Sequence, residues 1–258
     1  MTSIDINCDM GESFGPWVMG QDLELLSHVT SANIACGFHA GDPDVMLTTV
    51  RAAIAANVAI GAHPGLPDLQ GFGRRDMAMT PDQVYAMVIY QVGALQAFAR
   101  SQGGQLHHVK THGALYNMTA RTPALAEAVA QAVFDLDPTL PIYVANASIA
   151  KAAQALGLPT VFEVYADRTY QDDGTLTPRS LPNAMIEDVD QAIAQVKRMI
   201  LDGVVRSLSG KDVSITADTL CIHGDQPGAV VFARSIRAAL EASGIAVKKP
   251  TPLVQLKD

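Results

Sequence analysis

The sequence has few charged residues, few basic residues and few cysteines, and each scarcity excludes a class of protein. Charged residues make up 17% of the 258 positions, and 26 acidic groups against 18 basic ones give a net charge of −8. This balance argues against nucleic acid as a partner, because a phosphate backbone attracts a basic patch. The three cysteines are widely spaced and form no Cys-x-x-Cys pair, which favours a reduced, cytoplasmic setting over a disulfide framework.

Long apolar runs and phosphate-binding loops are also missing. No apolar run approaches the ~18 residues of a membrane-spanning helix. The N-terminal segment has no basic stretch followed by an apolar one, so we expect neither a membrane anchor nor a signal peptide. No Gly-x-Gly-x-x-Gly follows the first apolar run, and no Gly-x-x-x-x-Gly-Lys-Ser/Thr occurs. The sequence therefore offers no phosphate loop for a nucleotide.

Apolar, often β-branched runs alternate with helix-like stretches along the chain. The runs predict seven strands: Ile4–Cys8, Asn33–Cys36, Val58–Ala62, His108–Val109, Pro141–Ala145, Thr160–Val164 and Leu220–Ile222. The stretches between them predict helices: Val45–Ala56, Pro81–Gln102, Pro123–Asp135, Ile149–Leu156, Ile186–Leu201 and Val230–Ser243. This alternation is typical of βαβ units and a mainly parallel sheet. No linker divides the chain, so we predict a single α/β domain over residues 1–258.

The positions of the polar residues decide between an open, doubly wound sheet and a closed barrel. Charged and imidazole side chains follow nearly every predicted strand, whereas an open sheet concentrates its site at one switch point. Side chains at the carboxyl ends of many parallel strands meet at one end of a barrel, where barrel enzymes have their active sites. We therefore predict a (β/α) barrel with seven parallel strands and an active site at that end.

Charged side chains inside predicted strands are the first catalytic candidates. The apolar residues of the first strand alternate with Asp5, Asn7 and Asp9, which would line the barrel interior. Buried polar groups are costly unless they are paired or reach a wet site, so Asp9, nearest the carboxyl end, is the strongest candidate, and Glu12 follows closely. Lys110 lies inside another strand, where it could stabilise an oxyanion or hold the barrel together through an ion pair.

Four histidines stand at the ends of different predicted strands: His39, His63, His112 and His223. Imidazole beside carboxylate suits general acid–base catalysis near neutral pH. The same groups also suit zinc or another divalent cation, for which Asp9, His39 and His63 are the candidate ligands. Both roles stay open from the sequence.

Two long loops could supply cations for an anionic substrate, against the negative charge of the whole chain. Arg74 and Arg75 lie between glycines in the loop of residues 64–79, where paired guanidinium groups could clamp carboxylate or phosphate. A solvated surface pair is the alternative. The loop of residues 167–182 contains Arg179 and has a length typical of an active-site lid or a simple Ω-loop.

Nine segments near predicted strand ends carry a family resemblance: Asn7–Gly15, Ala32–Asp42, Gly61–Pro64, Gly71–Arg75, Lys110–Asn117, Ala166–Tyr170, Asp173–Gly174, Pro178–Arg179 and Cys221–Asp225. Together they resemble the LamB/YcsF family, the A subunit of prokaryotic 5-oxoprolinase. The resemblance covers almost the whole chain in order. One departure is Thr111, where the family usually has proline, although the flanking Lys110 and His112 are intact.

The resemblance implies a seven-stranded barrel like that of glycoside hydrolases and polysaccharide deacetylases. It also implies ATP-dependent hydrolysis of 5-oxoproline to L-glutamate, together with partner subunits B and C. Because this sequence has no phosphate loop, ATP and its Mg²⁺ would be handled largely by the partners. The candidate catalytic residues are then Asp9, Glu12, His39, His63, Lys110, His112 and His223. The candidate substrate-binding residues are Asn7, Arg74, Arg75, Asp167, Arg168 and Asp225.

Two other functional classes stay open from the sequence. A metal-dependent amidase or deacetylase acting without ATP would hold an ion near Asp9, His39 and His63. A non-catalytic regulatory subunit would have the same fold with an inert pocket. The low charged fraction and the 48% hydrophobic content are also compatible with a homo-oligomer.

Overall fold

The computed structural model describes residues 2–224 and 228–250, and at its centre is a closed barrel of parallel strands. The barrel strands are β1 (Ser3–Met10), β2 (Ser31–Ala35), β3 (Ala59–His63), β4 (Leu106–Val109), β5 (Ile142–Val144), β6 (Thr160–Tyr165) and β9 (Thr219–Ile222). Strand β9 pairs with both β6 and β1, which closes the ring. The predicted seven-stranded barrel is confirmed, and each predicted strand overlaps an observed one.

Helices follow most of the barrel strands and cover the outside of the barrel. They are α1 (Asp22–Leu25), α2 (Pro43–Ala55), α3 (Pro81–Ser101), α4 (Gly113–Arg121), α5 (Pro123–Leu136), α6 (Ala147–Ala155), α7 (Val189–Leu201) and α8 (Ala229–Ala242). Six were predicted with small boundary shifts, whereas the short α1 and α4 were not. Within residues 2–224 and 228–250, no helix combines the length and apolarity needed to cross a membrane.

Local capping signals set where the helices begin. Helix α3 starts with a capping box, in which the Thr80 hydroxyl accepts from the Gln83 backbone and the Gln83 side chain accepts from the Thr80 backbone. The predicted start of α7 at Ile186 was early. The helix begins at Val189 because the Asp188 side chain caps it.

Three short strands lie outside the ring and were not predicted. Strands β7 (Val204–Arg206) and β8 (Asp212–Ser214) form an antiparallel hairpin. Strand β10 (Ala246–Val247) runs parallel to the beginning of β1. Each has only two or three residues, too few for a periodic pattern to appear in the sequence.

The barrel interior is polar, as the alternation in the first strand predicted. Near the amino ends of the strands, the buried Asp5 carboxylate accepts hydrogen bonds from the hydroxyls of Thr30, Ser31, Tyr143 and Thr219. Burial raises the pKa of Asp5, and these hydroxyls oppose the rise. The four donors satisfy a carboxylate that would otherwise be costly to bury.

A second polar layer lies above Asp5. The Asn33 amide donates to Asn7 Oδ1 at 2.7 Å, and His108 Nε2 lies 2.7 Å from Asn33 Oδ1. A Cβ atom at Gly61 would approach His108 Nε2 to 2.0 Å, so only glycine leaves room for this imidazole inside the barrel. The layer supports the groups at the carboxyl ends of the strands, which we call the barrel mouth.

Candidate active site at the barrel mouth

Asp9 and Lys110 form an ion pair at the barrel mouth. Lys110 Nζ lies 3.0 Å from Asp9 Oδ1, and the Asn33 amide donates to the same oxygen at 2.8 Å. Burial alone would raise the pKa of Asp9, but the charges of His63 and Lys110 hold it well below its usual range. The carboxylate is therefore ionised, and its second oxygen lies 3.3 Å from His63 Nε2.

A second carboxylate, Glu163, also holds Lys110 and was missed in the sequence. Lys110 Nζ lies 2.8 Å from Glu163 Oε1 and donates to Asn7 Oδ1 at 3.2 Å. Burial alone would lower the pKa of Lys110, but the negative charges of Asp9 and Glu163 raise it well above the usual value. An acidic residue inside the apolar run Thr160–Val164 was the available signal, of the same kind that singled out Lys110.

His63 and His112 face each other at the mouth. His63 Nδ1 lies 2.7 Å from the Lys110 carbonyl oxygen, and His112 Nε2 lies 2.8 Å from the Phe72 carbonyl oxygen. A carbonyl oxygen only accepts, so each of these nitrogens carries a hydrogen. The remaining nitrogens, His63 Nε2 and His112 Nδ1, are 3.0 Å apart.

His39 and Glu12 complete a cluster around this pair. The His39 ring stacks on His112 with centroids 3.7 Å apart, and Glu12 Oε1 lies 3.7 Å from His39 Nε2 and 3.9 Å from His112 Nδ1. Burial lowers the pKa of His39 well below its usual value and that of His112 to about 3. One ligand atom from each of Glu12, His39, His63 and His112 lies within 4.8 Å of the others. Imidazoles with a carboxylate suit Zn²⁺ or a similar cation.

This grouping changes the candidate metal ligands named from the sequence. His39 and His63 belong to the cluster, but their partners are Glu12 and His112. One oxygen of Asp9 is instead bound by Lys110 and Asn33. The sequence could not rank the two acidic residues, because both lie near the end of β1 and only the path of the following loop separates them.

His223 belongs to a separate group on the other side of the mouth. Its Nδ1 lies 2.7 Å from Asp167 Oδ2, and Arg179 Nη2 lies 2.9 Å from its Nε2. The arginine can only donate, so the histidine accepts at Nε2 and donates from Nδ1 to Asp167. Burial alone would raise the pKa of Asp167, but His223 and other neighbours lower it. Asp167 therefore orients His223.

The predicted arginines have different surroundings. The Arg168 guanidinium donates to the carbonyl oxygens of Thr177 and Ala184 and braces the loop after β6. Arg74 lies over the Phe72 ring, 4.8 Å from its centroid.

Arg75 corrects one expectation from the sequence. Its guanidinium forms an ion pair with Asp68, within the loop after β3, and the side chain is 64% exposed. Adjacent arginines in an irregular loop point in different directions, so only Arg74 faces the mouth.

A cavity of about 690 Å³ opens above these groups. Its lining includes these sequence-predicted residues: Asp9, His63, Arg74, Lys110, His112, Arg168 and His223. Arg179 also lines it, although the sequence pointed only to its loop. Among the described residues, these candidates lie outside the lining: Asn7, Glu12, His39, Arg75 and Asp167. Asn7 is fully buried beneath Lys110, so it supports the lysine. Asp225 lies outside the described residues.

Comparison with known proteins places the whole barrel in one family. The LamB/YcsF family matches residues 4–255. The chain is 81% identical over 248 residues to a 5-oxoprolinase A subunit of Bordetella bronchiseptica, the one numbered 2, covering 96% of this chain and 99% of that one. It is 55% identical over 248 residues to the 5-oxoprolinase A subunit of Bacillus subtilis, covering 96% of each chain.

Solved structures agree with the fold. A lactam utilization protein from Thermus thermophilus superposes with a TM-score of 0.92 at 48% identity, covering 95% of this chain and 99% of that one. A cellobiose-phosphate cleavage protein from Enterococcus faecalis shares the fold alone, with a TM-score of 0.56 at 14% identity over 96% of this chain and 97% of that one. With its barrel, its strand-end motifs and these relatives, the chain belongs to the LamB/YcsF family.

Proposed function

We propose that this protein is the A subunit of a 5-oxoprolinase and that its barrel mouth opens the lactam ring of 5-oxoproline to give L-glutamate. The observation that carries the proposal is the ionised Asp9 carboxylate, which lies beside His63 and Lys110 at the floor of the cavity. Relatives at 55% and 81% identity carry the 5-oxoprolinase name, which supports this substrate among cyclic amides.

The cavity offers complementary charge to a small anionic lactam. 5-Oxoproline carries one carboxylate, and the cavity lining includes the arginines Arg74, Arg168 and Arg179. Guanidinium groups bind carboxylate or phosphate through paired hydrogen bonds. These arginines would hold the substrate while its ring carbonyl faces the floor of the cavity.

The floor supplies the groups that amide hydrolysis requires. Asp9 would accept a proton from the attacking water, and the fixed charge of Lys110 would stabilise negative charge on the ring oxygen. When the bond between the ring carbon and nitrogen breaks, the nitrogen needs a proton. His63, His112 and His223 line the cavity and are the candidate donors.

Opening an unstrained amide needs a driving force, which ATP would provide. Transfer of its terminal phosphoryl group to the lactam oxygen would make the ring carbon more electrophilic. One water would then break the carbon–nitrogen bond, and a second would release phosphate from the resulting acyl phosphate. The sequence has no phosphate loop, so we assign the nucleotide and its Mg²⁺ to partner subunits B and C, in keeping with relatives whose name makes them one subunit of several.

The test is to mix this protein with its B and C partners, ATP and 5-oxoproline, and to measure glutamate. We expect release to depend on this chain and to fall by roughly 10²–10⁴-fold in Asp9→Asn. Asp135→Asn is the matched control, because Asp135 is on α5 and bonds Tyr85 away from the mouth. Equal turnover with Asp9→Asn, or glutamate release without this chain, would contradict the proposal.

A further inference from the structure

We propose that Glu12, His39, His63 and His112 bind one divalent transition-metal cation of the zinc type below the barrel mouth. The catalytic meaning of this site rests on the proposed function, whereas the binding itself does not. Two of the four ligands, His63 and His112, also line the cavity, so a bound cation would border the substrate. Such an ion polarises a bound water or carbonyl oxygen.

The hydrogen positions on two rings point to a cation. His63 donates from Nδ1 to the Lys110 carbonyl, and His112 donates from Nε2 to the Phe72 carbonyl. In the neutral rings, the nitrogens that face each other across 3.0 Å therefore both present lone pairs. Two lone pairs at this distance repel unless a cation or a proton satisfies them.

The two outer hydrogen bonds fit the same assignment. Histidines that bind metals usually donate their other ring hydrogen to a carbonyl or carboxylate, which fixes the tautomer and the ring orientation. Both His63 and His112 have a backbone carbonyl in this role. The backbone thus fixes which nitrogen of each ring is available for a ligand.

His39 provides an independent observation. Its side chain is 1% exposed, and within the described part of the chain neither ring nitrogen has a hydrogen-bond partner. Burying such a group costs about 1–3 kcal/mol when nothing satisfies it. Its Nε2 points toward Glu12 Oε1 at 3.7 Å, so a cation shared with the carboxylate would give the imidazole its partner.

The spacing of the ligand atoms suits one small ion. Atoms bound at about 2.1 Å around a tetrahedral ion lie roughly 3.4 Å from each other. The pairs across the cluster are 3.0, 3.7 and 3.9 Å apart. Two glycines allow this approach: a Cβ atom at Gly65 would come within 2.5 Å of His39 Nδ1, and one at Gly73 within 2.6 Å of His39 Cβ.

The competing explanation is a proton shared between His63 and His112, with Asp9 as its counter-ion. A shared proton would satisfy the facing lone pairs, but it would leave both nitrogens of His39 without hydrogen-bond partners among the described residues. A cation accounts for all four residues, which is why we favour it.

The experiment measures metal content and affinity of the whole protein. Protein dialysed against a chelator is titrated with Zn²⁺ and with Co²⁺, following heat, metal content and the visible absorption of Co²⁺. We expect one cation per chain, with a Co²⁺ spectrum typical of four-coordinate nitrogen and oxygen ligands. His39→Ala and Glu12→Ala should each weaken binding on the order of 100-fold or more, with far-UV circular dichroism confirming the fold.

Two histidine variants serve as matched controls. His223→Ala removes a histidine that lines the cavity outside the cluster, and His28→Ala removes one near Arg234 and Arg237 of the outer helix α8; both should keep full metal binding. No stoichiometric Zn²⁺ or Co²⁺ binding by the wild-type protein would overturn the proposal in favour of the shared proton. Loss of binding in His223→Ala but not in His39→Ala would also overturn it.

Parallel glutamate assays separate this inference from the proposed function. Stoichiometric metal with no glutamate release in the presence of the partners would retain the site and refute the function. Full glutamate release by metal-free protein that binds no added cation would do the opposite. Metal-dependent release that requires no ATP would support the site and reassign the protein as a metal-dependent amidase.

Discussion

Replacing Lys110 with methionine should destabilise the protein by about 3–5 kcal/mol, because it leaves a buried charge without its partner. Lys110 Nζ lies 3.0 Å from Asp9 and 2.8 Å from Glu163, and both carboxylates are largely withdrawn from solvent. Methionine has a similar length but no donor, so packing changes little while both carboxylates lose their common counter-ion. Urea denaturation followed by far-UV circular dichroism gives the free energy of unfolding.

The control for this prediction is an ion pair of the same type at the surface. Arg121 pairs with Asp76, and both side chains are 59% exposed, so Arg121→Met should cost only about 0–1 kcal/mol. Adding Glu163→Gln to Lys110→Met should restore part of the loss, since it removes one unpaired buried charge. Equal costs for Lys110→Met and Arg121→Met would refute the assignment of Lys110 as the central counter-ion of the barrel.

Three further predictions use the same protein. Gly73→Ala should lower the free energy of unfolding about 1–3 kcal/mol more than Gly15→Ala, because both have positive φ but only Gly73 has histidine atoms within 3 Å of an added Cβ; urea denaturation compares them. Asp167→Asn should destabilise the protein near neutral pH. The lowered pKa of Asp167 means that this difference holds above about pH 4 and shrinks as the pH falls through the folded-state pKa, a trend that pH-dependent melting tests. Arg74→Ala should raise the KM for 5-oxoproline roughly 10-fold or more while Arg75→Ala leaves it nearly unchanged, as steady-state kinetics would show; equal effects would contradict the separation of the two arginines.

The barrel was predictable because two periodic signals agree. Apolar runs mark the strands, and the alternation of Asp5, Asn7 and Asp9 with apolar residues marks which face looks inward. The hairpin β7–β8 and the strand β10 were not predictable, because two or three residues carry no period and their pairing depends on distant chain segments. Helix α4 was missed because it follows His112 immediately, with no side-chain cap.

The candidate site was predictable in its members more than in its grouping. The sequence placed Lys110 and four histidines at strand ends, and the structure brings three of the histidines into one cluster. It leaves His223 in another group, with Asp167 and Arg179. Strand-end position fixes the height of a residue in a barrel but not its neighbours around the ring. Those neighbours depend on loop paths and rotamers, which local sequence does not encode.

The Asp5 cluster ties the fold together across the longest sequence separations in the barrel. The Thr219 hydroxyl that bonds Asp5 lies 214 residues further along the chain, and β1 pairs with both β9 and β10. During synthesis, β1 emerges first but cannot bury its charged side chains until β9 has left the ribosome. Contacts of such high separation slow folding and expose intermediates. A nascent chain lacking β9 would therefore present an unpaired β1 edge and an unsatisfied Asp5, which makes this protein a natural client for chaperones that hold incomplete barrels.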